Sequence, residues 1–362
     1  MLRGTVDLPL HYGSSPRWLF ERMTKLAKAI TEIIVNEYGK EEFLKRLSEP
    51  YWFQSFACVL GFDWHSSGTT TVTMGALKEA LKTSELSQEL IVVGGKGKIS
   101  RKTPEEIEKN GENLGLNDKK ISELIKASKL AAKVDNSALQ DGFQLYHHSL
   151  IFSSKGNWAI IQQGMNDETS YARRYHWFSS PELNFVNEPH AAIASDIIVK
   201  PLNMIAKEAE ETRKCSVDLI KDNPIKLKKL KEKFDDQKTL ASFIMPKEHF
   251  PKIKNIKINF KALQEAYEIQ LKNYEELLLI RGIGPSTIRA LALISNLIYG
   301  SELSWRDPCK FSFAHGGKDG WPYPVNKEQY DKSIALLKEA IEQAKLDKKE
   351  KIEAIKRLKN FI

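Results

Sequence analysis

The sequence predicts an α+β protein, mainly helical, with an N-terminal helical domain that carries a small antiparallel sheet and a helical region after it. Three observations predict this. Apolar residues recur at helical spacing near the start of the chain, as in Trp18, Leu19, Met23, Leu26, Ile30 and Ile33. Between 141 and 178 the pattern shifts to short apolar runs, FQLYHHSLIF and NWAIIQQGM, joined by Ser153-Ser154-Lys155-Gly156; that is how a strand hairpin reads. At 275–300 two apolar helical stretches flank a glycine-containing turn. The length of 362 residues fits two or three domains. A boundary is placed between 195 and 196, giving an α+β domain, 1–195, and a helical region, 196–362.

The elements follow in order. Ser15-Pro16 starts a helix that Gly39 ends after Tyr38. A shorter helix covers Glu41 to Leu47, and Tyr51-Trp52-Phe53 opens an aromatic segment. Phe62 to Gly68 reads as a loop, the threonine run after it as extended chain, and Gly75 onward as helix. Residues 91–102, IVVGGKGKISRK, place four cations behind a short apolar run. Helices are expected at 103–112 and 118–133, the second opening at Asn117-Asp118. SYARRYHWF is a third strand. From Ile193 to Phe260 the chain is polar, with helical pieces broken at Pro224, Pro246 and Pro251. Residues 201–260 hold 14 Lys/Arg against 9 Asp/Glu. A Gly/Pro/aromatic loop, 305–325, and two amphipathic helices end the chain.

Composition narrows the function. With 41% hydrophobic and 28% charged residues the chain has a soluble globular balance. It has no run of about 18 apolar residues and no export signal at its start. Cys58, Cys215 and Cys309 form no C-x-x-C pair, which argues against a disulfide framework or zinc ribbon and fits a reducing cytoplasm. The net charge of +8 favours an anionic partner, nucleic acid first. The same Lys/Glu-rich style also suits proteins adapted to heat.

The residues able to do chemistry gather in five segments: Asp7 to His11, Asp63 to His65, Lys96 to Lys102, Asp135 to His148, and Arg173 to His190. Polar residues that interrupt apolar runs need partners, because burial without them costs free energy. His147 and His148 interrupt a strand and must point to opposite faces. Asp141, Gln162 and Gln163 are placed to share a site with one of them. Asp7, Asp63, His65, Asp141 and His147 are therefore the candidates for metal-assisted phosphodiester cleavage. Carboxylates and imidazoles there would hold a divalent ion, Mg or Mn, that activates water. No organic cofactor is expected. No H-E-x-x-H, Walker A or D/E-x-K nuclease signature is present. Lys96 and Lys98 sit in a Gly-Gly-Lys-Gly-Lys loop that can contact phosphates through its amides. Arg173 and Arg174, next to Tyr175, His176 and Trp177, form a stripe of cations and rings that can track a single strand. A strand that packs the same rings inward explains the pattern equally well.

The turn at 275–300 is the clearest motif. Leu277 to Ile280 lead into Arg281-Gly282-Ile283-Gly284, and Pro285-Ser286-Thr287 open the second helix. This G-h-G hairpin (h apolar) resembles the helix-hairpin-helix motif, which implies contact with a DNA phosphate. The physics is general: a helix N-terminus offers orphan N–H donors and the positive end of its dipole. The DNA contacts implied are Arg281, Gly282, Ile283, Gly284, Ser286 and Thr287, with duplex or single-stranded DNA as partner.

In DNA glycosylases that carry this motif, a catalytic Asp lies about two dozen residues after the first hairpin glycine. That resemblance places Asp307 in the role of stabilising a sugar cation or positioning water on a flipped nucleotide. Ser286 stands where bifunctional members have a nucleophilic lysine, so only monofunctional chemistry is implied. RGTVDLPLHYG, CVLGFDWHSSGTTT, VVGGKGK, LQDGFQLYHHS and FAHGGKDG together resemble a large prokaryotic family known as a domain of unknown function, over nearly the whole chain. The functions expected, in order, are a DNA nuclease, a monofunctional glycosylase using Asp307, and a non-enzymatic DNA-structure binding protein.

Overall fold

In the computed structural model, five strands form one antiparallel sheet. They are β1 (Leu90–Lys96), β3 (Gln144–Ser153), β4 (Trp158–Asn166), β5 (Tyr171–Phe178) and β6 (Ala192–Ser195), in that spatial order. A short pair, β2 (Leu139–Gln140) with β7 (Leu202–Asn203), lies apart from it. The structure describes residues 16–61, 68–222, 245–249, 258–311 and 327–361, with a few positions between 226 and 232. The chain is α+β and mainly helical.

Each strand buries both of its sides, because helices cover both faces of the sheet. On one face lie α1 (Arg17–Tyr38), α2 (Lys40–Leu47), α3 (Pro50–Leu60) and α4 (Gly68–Lys82). There Val92, Ile151, Ala159 and Ile161 pack with Met23, Phe53, Phe56 and Leu77. The closing helices α11 (Lys327–Gln343) and α12 (Lys348–Phe361) return to this same core through Leu337, Ile341 and Leu358. On the other face lie α5 (Thr103–Asn113) and α6 (Asp118–Lys133), then α7 (Glu210–Asp222), α8 (Phe260–Ile269), α9 (Tyr274–Leu279) and α10 (Pro285–Tyr299). Val93, Leu150, Ile160, Tyr175 and Trp177 meet Leu124, Leu277 and Leu291 in that core. Both cores thus draw on residues from either side of 195/196.

Local sequence explains most element ends. Asn117 accepts the Lys120 amide at 2.9 Å and caps α6. Gly39 takes φ 88° and separates α1 from α2 in a single residue. Ser153 to Gly156 make the β3–β4 turn, as the sequence pattern requires. One expectation is corrected. Thr69 to Thr71 are helical, not extended: they form the first turn of α4, where Thr69 and Thr70 are buried against the sheet. Tertiary burial outweighs the β preference of a threonine run.

Candidate functional site

The two-residue period of β5 sends neighbouring arginines to opposite faces. Arg173 faces the α6 side and is fully buried. Its guanidinium forks onto Asp307, at 3.1 and 2.8 Å, and also donates to Asp141 at 3.0 Å and to the Ile197 carbonyl at 3.0 Å. Burial works against this charge, but Asp141 and Asp307 outweigh it and raise its pKa well above the usual value. Asp141 also accepts from the Tyr175 hydroxyl at 2.8 Å and the Phe143 amide at 3.0 Å. Asp307 also accepts from the Val199 and Cys309 amides, at 2.8 and 2.9 Å. Both carboxylates are committed to a cation and to other donors, so they do not fit a divalent metal. Among the described residues, no group of three His, Cys, Asp or Glu comes together to hold one.

His147 and His148 divide in the same way. His148 faces α6, with its Nε2 2.8 Å from Ser128 Oγ and its Nδ1 2.8 Å from Gln162 Oε1. Gln162 passes the chain on to Asp135, which also accepts from Trp177 Nε1 at 2.9 Å and lies against His190 Nε2. Asp135 sits in a single π-helical turn, Val134–Ala138, that follows α6. Such turns are rare and concentrate at functional sites.

His147 faces α4. Strand pairing puts it in one row across the sheet with Lys96, Gln163 and Arg174. A bulge at Tyr146 interrupts the register beside this row, and Gln163 donates to the Tyr146 hydroxyl. The start of α4 reaches the row as well, because the Thr70 hydroxyl bonds Gln163 and lies 3.4 Å from Arg174. Arg174 donates to His176 Nε2 at 2.9 Å and Gln54 Oε1 at 3.1 Å, with its guanidinium 4.4 Å from the centre of the Phe53 ring. Burial pushes its pKa down to about 9, while Cys58, Asp196 and Tyr146 pull it the other way. His176 is lowered well below its usual range by burial and then by Arg174, so it is neutral. His147 is pushed down to about 3 by burial, His148 and Lys96.

Of the two readings of the Arg173–Trp177 run, the inward-packed strand is the one observed: both guanidiniums are buried, and Tyr175 and Trp177 pack inward. Lys96 and Lys98 are exposed. Within β1, Gly94 has φ 80°, and a Cβ there would lie 2.3 Å from the His148 carbonyl oxygen. Asp7, Asp63 and His65 lie outside the described residues. Gln54 and Thr70 escape a reading by residue type. Gln54 does break the apolar run PYWFQSFACVL, which is the signal that marks it.

At 280–284 a turn joins α9 to α10. Gly282 has φ 88°, and Gly284 caps α10 in extended conformation with no side-chain cap. A Cβ on Gly282 would meet Asn259 Nδ2 at 2.6 Å, whereas one on Gly284 would meet nothing within 4 Å. Arg281 and Gly282 are exposed, and Ile283 is buried as the anchor. Thr287 is buried, and its hydroxyl accepts the Asn259 amide at 3.3 Å. Ser286 is half-buried. Lys133 donates to the Ile283 carbonyl at 2.6 Å and Gln140 to the Pro285 carbonyl at 2.8 Å. These two bonds fix the turn to the end of α6 and to β2.

Among the described residues, no helix is long and apolar enough to cross a membrane. No curated protein and no solved structure matches the chain. One family model matches residues 4–325, which takes in the sheet, the buried arginines and the hairpin together. The chain belongs to that family, DUF763, described as a protein of unknown function.

Proposed function

We propose that this protein binds DNA by its 280–287 hairpin and acts on the bound strand by phosphodiester cleavage. One observation carries the reading. Gly284 leaves open space at the N-terminus of a fifteen-residue helix, and Gly282 holds the turn in a left-handed conformation. A phosphate can approach such a terminus closely, and the helix dipole favours it. The exposed Arg281, Lys96 and Lys98 and the net charge of +8 add long-range attraction. For cleavage, Asp7, Asp63 and His65 are the candidates by residue type, with a divalent ion as the partner such residues take. Base excision by Asp307 has less support, because four donors already occupy that carboxylate. Binding without chemistry is the second reading, favoured by a hairpin that specifies a grip but no reaction.

The test uses labelled duplex and single-stranded oligonucleotides with Mg, Mn or EDTA. Strand breaks that EDTA abolishes support the nuclease, whereas tight binding without product supports the binding protein. Gly284→Val is the informative variant, since its extended angles and open surroundings accept a side chain. The expected result is at least tenfold weaker DNA binding with an unchanged melting curve. Unchanged affinity would refute the hairpin reading.

A further inference from the structure

We infer that the basic loop 96–102 is a second contact surface for nucleic acid, and that it takes an unpaired stretch of a strand whose other end sits on the 280–287 hairpin. The joint grip rests on the hairpin reading above; the loop's own attraction for a polyanion does not.

Lys96, Lys98, Arg101 and Lys102 are all exposed, and none of the four has an ion-pair partner among the described residues. Exposed cations elsewhere in the chain do pair: Arg17 with Glu21, Lys25 with Glu350, Lys126 with Glu275 and Lys214 with Glu210. No carboxylate lies within 96–102. Glu105 and Glu106 open the helix that follows, and Glu106 is already held by Lys78 Nζ at 2.7 Å and the Gly94 amide at 2.8 Å. Like charges gathered in so short a segment repel one another, and a row of phosphates relieves that repulsion while shedding its own counterions.

The loop has a fixed form. Gly97–Lys102 make a 3-10 turn, in which Ser100 Oγ donates to the Gly97 carbonyl at 2.6 Å and Thr103 Oγ1 to the Ser100 carbonyl at 2.7 Å. At its foot Lys78 donates to the Gly94 carbonyl at 3.0 Å. Gly97 has φ 60°, and a Cβ there would meet nothing within 4 Å, so a phosphate can approach its backbone closely. Behind the loop the sheet is closed. Gln163 is bonded to Thr70 and Tyr146, Arg174 to His176 and Gln54, and His147, 2% exposed, keeps its Nδ1 without a partner there. The cations of the loop itself are therefore the groups that a ligand meets.

Two observations choose the partner. Ile99 is 52% exposed in the middle of the four cations. A duplex shows the loop phosphates and groove edges, whereas an unpaired strand also shows the apolar faces of its bases, which Ile99 can cover. A single isoleucine buries too little apolar area to hold a lipid surface. The second observation is position. The His148 carbonyl lies against Gly94 at the foot of the loop, and His148 Nε2 is 2.8 Å from Ser128 Oγ on α6. Further along that helix by about 7.5 Å of rise, Lys133 holds the Ile283 carbonyl of the hairpin at 2.6 Å. Loop and hairpin are thus both tied to the C-terminal half of α6, which brings them within reach of one strand.

The experiment measures the affinity of the full chain for a labelled single-stranded oligonucleotide and for the same sequence as a duplex, over a series of salt concentrations, with vesicles of anionic phospholipid as a third arm. The combined variant Lys98→Ala, Arg101→Ala and Lys102→Ala is expected to weaken single-strand binding about tenfold and to lower its salt slope by about 2, since each lost phosphate contact removes about 0.7. Its melting curve is expected to stay unchanged. Ile99→Ser is expected to weaken the single strand about threefold and to leave the duplex as it was. Single-strand binding that the triple variant does not weaken overturns the loop surface while the hairpin reading stands. Binding weakened by the triple variant but not by Gly284→Val keeps the loop surface and overturns the hairpin reading, and the joint grip with it. A duplex bound as tightly as the single strand, and equally sensitive to the triple variant, overturns the choice of an unpaired strand. Binding to vesicles in place of oligonucleotides, or to neither, overturns the inference.

Discussion

Replacing Arg173 with methionine tests whether the Asp141–Arg173–Asp307 cluster is scaffold or chemistry. Methionine fills much of the same volume and removes the charge. It leaves two carboxylates buried, at 1% and 4% side-chain exposure, with no cation between them. Stranding one partner of a buried ion pair costs about 3–5 kcal/mol. Four guanidinium hydrogen bonds are lost, and the two chain segments they join, around 141 and 307, lose their common anchor. The melting temperature is expected to fall by roughly 4–7 °C at that cost in a chain of 362 residues. Differential scanning calorimetry and a urea midpoint measure it. The combined variant with Asp141→Asn and Asp307→Asn removes the stranded charges and is expected to recover most of the loss, because apolar or neutral replacements of buried ion triads are often near neutral. A loss below about 1 kcal/mol for the single variant would sink the argument, since Asp307 would then not depend on Arg173 for its place.

Two further predictions follow from the same geometry. Stability should fall as pH drops from 6.5 toward 3: His147 titrates near 6.5 when unfolded but at about 3 when folded, so the unfolded state binds the extra proton. Burial lowers His148 and His176 as well, which gives the same sign. Urea midpoints across that window check this, and the slope should flatten in His147→Gln; a midpoint that rises on acidification contradicts it. Lys133→Met removes the donor to the Ile283 carbonyl. One hydrogen bond of about 1 kcal/mol corresponds to DNA affinity weaker by roughly fivefold, read by fluorescence anisotropy, and no change in affinity would mean that the hairpin holds its shape without this tie.

Much of the fold is legible in the sequence, because local rules decide it. The β3–β4 hairpin, the helices at 103–113 and 118–133, and the glycine turn at 282–284 each follow from periodicity, capping or a backbone angle that only glycine takes easily. The alternation that separates His147 from His148 and Arg173 from Arg174 is also a local rule. The sequence is silent on what waits at each face. Asp141 and Asp307 meet at Arg173 although 166 positions separate them, and nothing in LQDGF or WRDPC signals the other. The threonine run after Gly68 misleads for a related reason: its β preference is weaker than the burial that α4 gains on the sheet.

The sequence by itself determined the α+β class, the position of the sheet and the glycine turn at Gly282. These depend on contacts between residues close in the chain, where spacing alone fixes geometry. Only the tertiary structure decided which arginine is neutralised by carboxylates and which joins a donor-rich row, and which histidine keeps an unpaired nitrogen. A charge takes its meaning from its neighbours, and here those neighbours come from α3, α4, the 197–199 segment and residue 307, brought together when helices close over both faces of one sheet.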